Sequence, residues 1–335
     1  MTRHPAPQGT ILEIQRMSTE DGPGIRSTGF FKGCSLSCGW CHNPESIRPE
    51  PQIQWLKTAC IGCRLCLDAC PQKALTRAAN GDIVIDRKLC LGCGTCAEVC
   101  PSAAMELLGK KWTVSALADE LVKDRAFFET SGGGVTLSGG EAALQHDFCL
   151  ALLRELRARD IATALDTCGQ LSAKALTDLL PYVDVLLYDL KEIDPQKHRA
   201  FTGRDNEKIL ANAVAAARFK KERPYPKTLW LRTPIIPEAT DTADNLRGLG
   251  DFIRERLGNA ADRWELCAFN NLCRDKYLRL GLDWPYAGKS LPEKSQMEEL
   301  AAVAQSRVPS LAVSWSGSVR LADRAGGKNK TARGC

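Results

Sequence analysis

Eight of the sixteen cysteines fall into two runs of identical spacing, Cys60-x2-Cys63-x2-Cys66-x3-Cys70-Pro71 and Cys90-x2-Cys93-x2-Cys96-x3-Cys100-Pro101. A zinc site built from cysteine pairs has no use for a third cysteine two residues on, whereas a cubane iron–sulfur cluster does. Thiols in such number would suggest disulfides in a secreted chain, yet Met1–Gln8 has no apolar leader segment. The thiols are therefore read as kept for iron in a reducing cytoplasm, that of an anaerobe.

Each run, proline included, resembles that of the bacterial ferredoxins. In that arrangement the fourth cysteine of one run serves the other run's cluster. The resemblance thus implies one [4Fe-4S] cluster on Cys60, Cys63, Cys66 and Cys100 and a second on Cys90, Cys93, Cys96 and Cys70. A further set, Cys34-x3-Cys38-x2-Cys41, offers three thiolates and no obvious fourth, so a cubane held there keeps one iron open to another ligand. A zinc knuckle completed by His42 is the alternative.

With 335 residues the chain can bury one core of ordinary barrel size and carry a small module besides. No stretch approaches the roughly 18 uninterrupted apolar residues of a membrane span. The net charge of +5 is spread along the chain, and Lys220, Lys221 and Arg223, like Lys328, Lys330 and Arg333, read as solvated surface, not as a nucleic-acid footprint.

Outside the cysteine block, short β-type runs (28–33, 134–137, 161–165, 183–188, 228–232, 264–268) alternate with amphipathic helical ones. Six strands that each precede a helix predict an α/β fold, a partial (β/α)6 barrel, with 10–15 as a leading strand and 311–315 closing the series. A doubly wound open sheet shares this alternation. The predicted division is a discontinuous barrel, 1–56 and 109–325, a two-cluster insertion at 57–108, and a disordered tail at 326–335.

In α/β barrels, loops at the C-terminal strand ends converge on one rim. The three-cysteine loop follows the first predicted strand, Gly139-Gly140-Glu141 the second, Asp166-Thr167-Cys168 the third and Asp189-Leu190-Lys191 the fourth; Arg232 ends the fifth, and Asn270 and Asn271 follow the sixth. Glycines without Cβ let backbone approach a small molecule, and Glu141 could fix an ammonium. Trp40 would set an aromatic face beside a cluster. Asp166 and Asp189 could hold a ribose, a sulfonium or a cation, while Lys191 and Arg232 supply positive charge for a carboxylate. Cys149 and Cys267 read as core, Cys168 and Cys273 as loop thiols near the mouth, and His146 and His198 as exposed.

The cysteine triplet and the Gly-Gly-Glu element resemble those of the radical S-adenosylmethionine (SAM) superfamily. Together with Asp21-Gly22-Pro23-Gly24-Ile25-Arg26 and Asp189-Leu190-Lys191, they make residues 10–320 similar to the glycyl radical enzyme activating enzymes, the longer kind with two inserted clusters. That resemblance implies reductive SAM cleavage at the Cys34, Cys38 and Cys41 cluster to a 5′-deoxyadenosyl radical, which takes hydrogen from a glycine of a partner glycyl radical enzyme. It further implies three clusters in all, a flavodoxin- or ferredoxin-type reductant, and SAM contacts from Trp40, Gly139, Gly140, Glu141, Asp166, Asp189, Lys191 and Arg232. A monovalent cation would sit at Asp166 and Asp189, and Asp21 would lie near the partner's glycine loop. Cys168 and Leu187 depart from the family pattern at the cation site. A radical SAM enzyme acting on a small molecule or peptide, and a ferredoxin-type electron carrier, are the readings set against this one.

Overall fold

The alternating runs become a nine-stranded sheet in the computed structural model, which describes residues 6–320. The expected tail at 326–335, the barrel boundary at 325 and Cys335 lie outside the described residues. In chain order the strands are β1 (Gln8–Ser18), β2 (Arg26–Phe31), β3 (Gln52–Trp55), β4 (Leu75–Arg77), β5 (Ile83–Ile85), β6 (Met105–Leu108), β7 (Lys110–Thr113), β8 (Gly134–Gly139), β9 (Thr163–Thr167), β10 (Val185–Asp189), β11 (Thr228–Ile235), β12 (Arg263–Ala268) and β13 (Ala312–Ser316). The helices are α1 (Leu65–Ala69), α2 (Thr95–Glu98), α3 (Val114–Leu121), α4 (Arg125–Ser131), α5 (His146–Ala158), α6 (Ala173–Leu179), α7 (Pro195–Thr202), α8 (Glu207–Glu222), α9 (Ala243–Phe252), α10 (Arg274–Leu280) and α11 (Lys294–Arg307).

The sheet order is β13-β12-β11-β10-β9-β8-β2-β1-β7. From β2 through β13 every pairing is parallel; β1 runs against β2, and β7 against β1. β13 and β7 are the two edges, so the sheet stays open. The leading strand expected at 10–15 is β1, paired on both sides.

A fully covered parallel strand reads as an unbroken apolar run. β11 instead alternates, with Leu229, Leu231, Thr233 and Ile235 buried and the residues between them half-buried. One face of the sheet packs Leu165, Leu186, Tyr188, Leu231 and Trp264 against helix residues such as Leu152, Leu156, Leu176, Ile209 and Leu249. α5 shows why these segments are helical: Phe148, Cys149, Leu152, Leu153 and Leu156 recur at the spacing of one helix face, and all are buried. Thr113, Ser172, Asp194 and Thr242 cap α3, α6, α7 and α9 with side-chain oxygens, each cap contributing about 1 kcal/mol. The other face carries Thr136, Ser138, Asp166, Asp189, Arg232 and Glu265, in register across the strands, beside the small cluster Ala164, Val185, Leu187 and Trp230. Polar groups thus line the face that the helices leave free.

The first barrel strand was expected at 28–33 but ends at Phe31, because Gly33 turns with φ +97° and hands its backbone to the neighbouring loops. Gly140 N–H donates to the Phe31 carbonyl at 2.9 Å and Glu141 N–H to the Gly33 carbonyl at 2.7 Å. A Cβ on Gly139 would sit 2.3 Å from the Phe31 nitrogen, and one on Gly140 would sit 2.2 Å from the Gly33 oxygen. The two glycines are therefore required by the backbone of β2, not only by a ligand. At the other strand end, a Cβ on Gly24 would meet the Gly133 nitrogen at 2.5 Å.

Between β2 and β7 the chain leaves the sheet along a two-stranded stalk, β3 paired antiparallel with β6, and forms the cysteine module with its own small β4–β5 ladder. Gly140→Ala should lower the unfolding free energy by about 2–3 kcal/mol, since backbone must part to admit the methyl group. Gly132→Ala, with φ +68° and open space around it, should cost only about 1 kcal/mol. Anaerobic urea denaturation of both variants checks this; equal midpoints would show that the Gly33 turn gives way.

Candidate functional site

The three-cysteine loop starts where β2 ends and is held on all sides by backbone. Gly33 N–H donates to Ser46 O at 2.7 Å, Cys34 N–H to Ile47 O at 3.0 Å, Ser37 N–H to Thr202 O at 2.9 Å and Gly39 N–H to Phe201 O at 3.0 Å. Beneath it lies Lys32, 1% exposed, whose ammonium donates to Glu45 O at 2.6 Å and Gln52 Oε1 at 3.1 Å. Burial pushes its pKa down to about 8. Tyr277 of α10 donates its hydroxyl to Cys41 O at 2.9 Å. The His42 ring, the alternative fourth ligand, pairs through Nε2 with Asn270 O at 3.1 Å.

Burial raises the Cys38 thiol to about 11 and Cys41 further, while Cys34 is lowered by a hydrogen bond with Cys168. The Lys191 ammonium favours the thiolate at all three. Three half-buried thiols beside one fixed cation suit iron, whose binding takes the protons off.

Asp166, Asp189, Lys191 and Arg232, delivered by β9, β10 and β11, form one network. Arg232 Nη2 donates to Asp166 Oδ1 at 2.5 Å, its Nε lies 3.4 Å from Asp189 Oδ1, and Lys191 Nζ donates to Asp189 Oδ2 at 2.6 Å. Ser138 Oγ donates to Asp166 Oδ2 at 2.7 Å. Burial opposes every one of these charges. At Asp189 the ammonium and guanidinium outweigh it and hold the carboxyl below its usual range; at Lys191 and Arg232 the carboxylates outweigh it and hold both cations above theirs. The Arg232 guanidinium lies between the two carboxylates, the place the resemblance gave to a monovalent cation.

Three expected contacts have other partners. Glu141 is 0% exposed; its carboxylate accepts from Thr167 Oγ1 at 2.8 Å, Cys168 N–H at 2.9 Å and Cys168 Sγ at 3.1 Å. It brackets β8 to β9 and faces no ammonium. Trp40, 5% exposed, sits among Ile236, Phe269, Tyr277 and Trp284, with Tyr286 edge-on at 6.1 Å and Cys38 of the loop packed against the same cluster. Asp21 accepts from Ser18 Oγ at 2.6 Å and Thr28 Oγ1 at 2.7 Å, and its motif partner Arg26 is buried, donating to Thr136 Oγ1 at 2.6 Å and Val135 O at 2.9 Å. The motif is a turn strapped across β2 and β8.

Cys267 departs from the core reading. It shares the polar face with Glu265 and lies close enough to Arg232 to be influenced by its charge. Parity along β12 was the available signal. His198, expected exposed, is buried, with Nδ1 2.6 Å from Arg204 O.

In the module the eight cysteines divide between two cavities. One is lined by Cys60, Cys63, Cys66 and Cys100; the other by Cys70, Cys90, Cys93 and Cys96. Each thus takes its fourth cysteine from the other run, the donor sets two cubanes need. The duplicated loops share left-handed turns at Gly62 and Gly92, and again at Arg64 and Gly94.

Known proteins bear on this geometry. Residues 59–104 match the family described as 4Fe-4S dicluster domain. The chain is 36% identical over 304 residues to the (2S)-3-sulfopropanediol dehydratase activating enzyme of Klebsiella oxytoca, covering 90% of this chain and 94% of that protein. It is 40% identical over 288 residues to the isethionate sulfite-lyase activating enzyme of Desulfovibrio desulfuricans, covering 85% and 90%. With the trans-4-hydroxy-L-proline dehydratase activating enzyme of Clostridioides difficile it shares 37% over 295 residues, covering 87% and 94%. A solved radical SAM methyltransferase from Sphaerobacter thermophilus, 13% identical, gives a TM-score of 0.51 over 95% of this chain and 79% of that one, a likeness of fold alone. Identity above 30% along nearly the whole of several such relatives settles kinship: the chain belongs to the glycyl radical enzyme activating enzymes of the radical SAM superfamily.

Proposed function

We propose that Cys34, Cys38 and Cys41 hold a [4Fe-4S] cluster whose fourth iron receives SAM, and that the two module cavities hold two more. The protein is an activating enzyme that installs a radical on a glycine of a partner glycyl radical enzyme. The observation that carries the proposed site is the meeting, at the C-terminal strand ends, of a three-thiol loop with the Asp166, Arg232, Asp189 and Lys191 network. Of the further donors near the loop, His42 is engaged by a carbonyl and Cys168 by the Glu141 carboxylate.

When bound, the cluster and SAM together supply electron-driven cleavage to methionine and the 5′-deoxyadenosyl radical that takes the glycine hydrogen. The chain's own side chains transfer no proton. We assign the half-buried Gly139–Gly140 backbone, not the Glu141 carboxylate, to the SAM ammonium. Arg232 and Lys191 face its carboxylate and ribose, with Asp166 and Asp189 fixing their direction. With Arg232 between the carboxylates we propose no cation there, and with Trp40 among core aromatics no adenine stack on its face. Asp21 acts through the β2–β8 turn it braces, beneath the partner's glycine.

The sheet we read as a partial (β/α)6 barrel whose seventh parallel strand, β13, completes the edge, with the module at 57–108 hung on the stalk. Among the described residues no helix is long and apolar enough to cross a membrane. We place the protein in a reducing cytoplasm, served by a flavodoxin- or ferredoxin-type donor, with a glycyl radical dehydratase, decarboxylase or lyase as its partner.

Arg232→Lys keeps the charge but cannot bridge both carboxylates. SAM affinity of the anaerobic, cluster-loaded variant, measured by equilibrium dialysis, should fall about tenfold, near 1.4 kcal/mol, at unchanged iron content; unaltered affinity would remove Arg232 from the SAM site. The activity itself is tested with reductant, SAM and a panel comprising (2S)-3-sulfopropanediol dehydratase, isethionate sulfite-lyase and trans-4-hydroxy-L-proline dehydratase. A glycine-centred electron paramagnetic resonance doublet on one of them, with 5′-deoxyadenosine formed, is expected. 5′-Deoxyadenosine without any doublet would place the partner outside these classes.

A further inference from the structure

We infer that the module has an outer and an inner end: a small acidic one-electron donor docks at the outer pocket, lined by Cys60, Cys63, Cys66 and Cys100, over Arg64 and Arg77. The inner pocket, lined by Cys70, Cys90, Cys93 and Cys96, adjoins the three-cysteine loop. This rests on the reading of the two cavities as cluster sites.

The stalk sets the order. Its base, Gln52 opposite Leu108, is anchored to the end of β2 by Lys32, and its tip is Trp55 opposite Met105. At about 3.3 Å per residue the tip stands roughly 10 Å beyond the base. Ile53, one step from the base, lines the Cys90 pocket; Trp55 and Met105, at the tip, line the Cys60 pocket.

A chain of contacts gives the same order. Arg87, close enough to Cys90 for the two to interact electrostatically, donates to the Ile53 carbonyl and, at 2.8 Å, to the Arg279 carbonyl of α10. The same helix donates from Tyr277 to Cys41 O, and from Lys276 to Asn43 Oδ1 at 2.8 Å. α10 therefore joins the Cys90 side of the module to the Cys41 side of the loop. Among the described residues the polar contacts of Lys57, Lys73 and Arg77, which surround the Cys60 run, stay within the module.

Charge selects the donor. Both Cys63 and Cys93 are exposed, as are Ile61 and Leu91 beside them. Yet the outer pocket is lined by Arg64 and Arg77 with no carboxylate, whereas no charged residue lines the inner one and Arg87, beside Cys90, is engaged by the Ile53 and Arg279 carbonyls. Arg64 occupies a left-handed turn, φ 67°, at the position where the second run has Gly94. An apolar patch around an exposed thiol, with two arginines at its rim that form no ion pair among the described residues, fits an acidic partner surface. In the step, one electron leaves the donor's reduced flavin and one cubane passes from 2+ to 1+; no bond forms or breaks and no proton moves.

The test uses the full-length, cluster-loaded protein, with a photoreduced flavodoxin as probe and stopped-flow bleaching of the cluster absorbance as readout. Arg64→Glu should slow flavodoxin-driven reduction about tenfold or more, and Arg64→Gly, which copies the second run, by a smaller factor; Leu91→Asp should stay within about twofold of the parent. Iron content and the dithionite-induced cubane resonance should match the parent in all three. Slowing by Leu91→Asp equal to or above that of Arg64→Glu, or slowing by neither, overturns the docking assignment. If dithionite raises only one cubane resonance even in the parent protein, it is the reading of the module as two cluster sites that fails.

Discussion

Everything at the site hangs on the close approach of β8 to the end of β2. Two residues without Cβ, Gly139 and Gly140, let the Gly33 turn lie against them, and two backbone hydrogen bonds lock it there. That single junction starts the three-cysteine loop at a fixed place on the rim. The next residue, Glu141, ties the same corner to β9 through Thr167 and Cys168. The loop is thereby positioned by main-chain bonds to β8 and the neighbouring loops and by the buried Glu141 carboxylate, which is the sturdier arrangement for thiols that must meet a rigid inorganic body.

The polar face is built on the same economy of means. Period-2 alternation sends apolar residues of β9, β10 and β11 into the helices and leaves Asp166, Asp189 and Arg232 on the free face. Parallel register then brings side chains from three separate strands within hydrogen-bond distance. None of the four charges in the network touches bulk solvent freely, so each is held in direction by its neighbour.

Much of this was legible in the sequence because it is local. Ligand spacing is set within ten residues, and the strands announce themselves as short apolar runs between helical stripes. α7 is likewise announced locally, Asp194–Pro195 being a capping residue followed by proline at the first helical position, a signal that needs no tertiary information. What could not be read are the partners. Glu141 meets Thr167 and Cys168 across 26 and 27 positions, Trp40 meets residues nearly 250 positions away, and His198 is buried by a turn that its own helix makes. Residue type and motif place a side chain at the rim; only packing decides whether it looks into the mouth or back into the fold.

The network that faces the three thiols contains two carboxylates, one guanidinium and one ammonium. Its charges cancel. To an approaching small molecule it presents oriented dipoles with no long-range pull, and such forces vanish within a few ångströms. Dissolved ions screen net charge over a Debye length of about 10 Å, and the network itself adds none. Ionic strength would thus leave the network's own hold on a bound cofactor nearly untouched while acting on the thiolates at the mouth and on the arginine rim of the module.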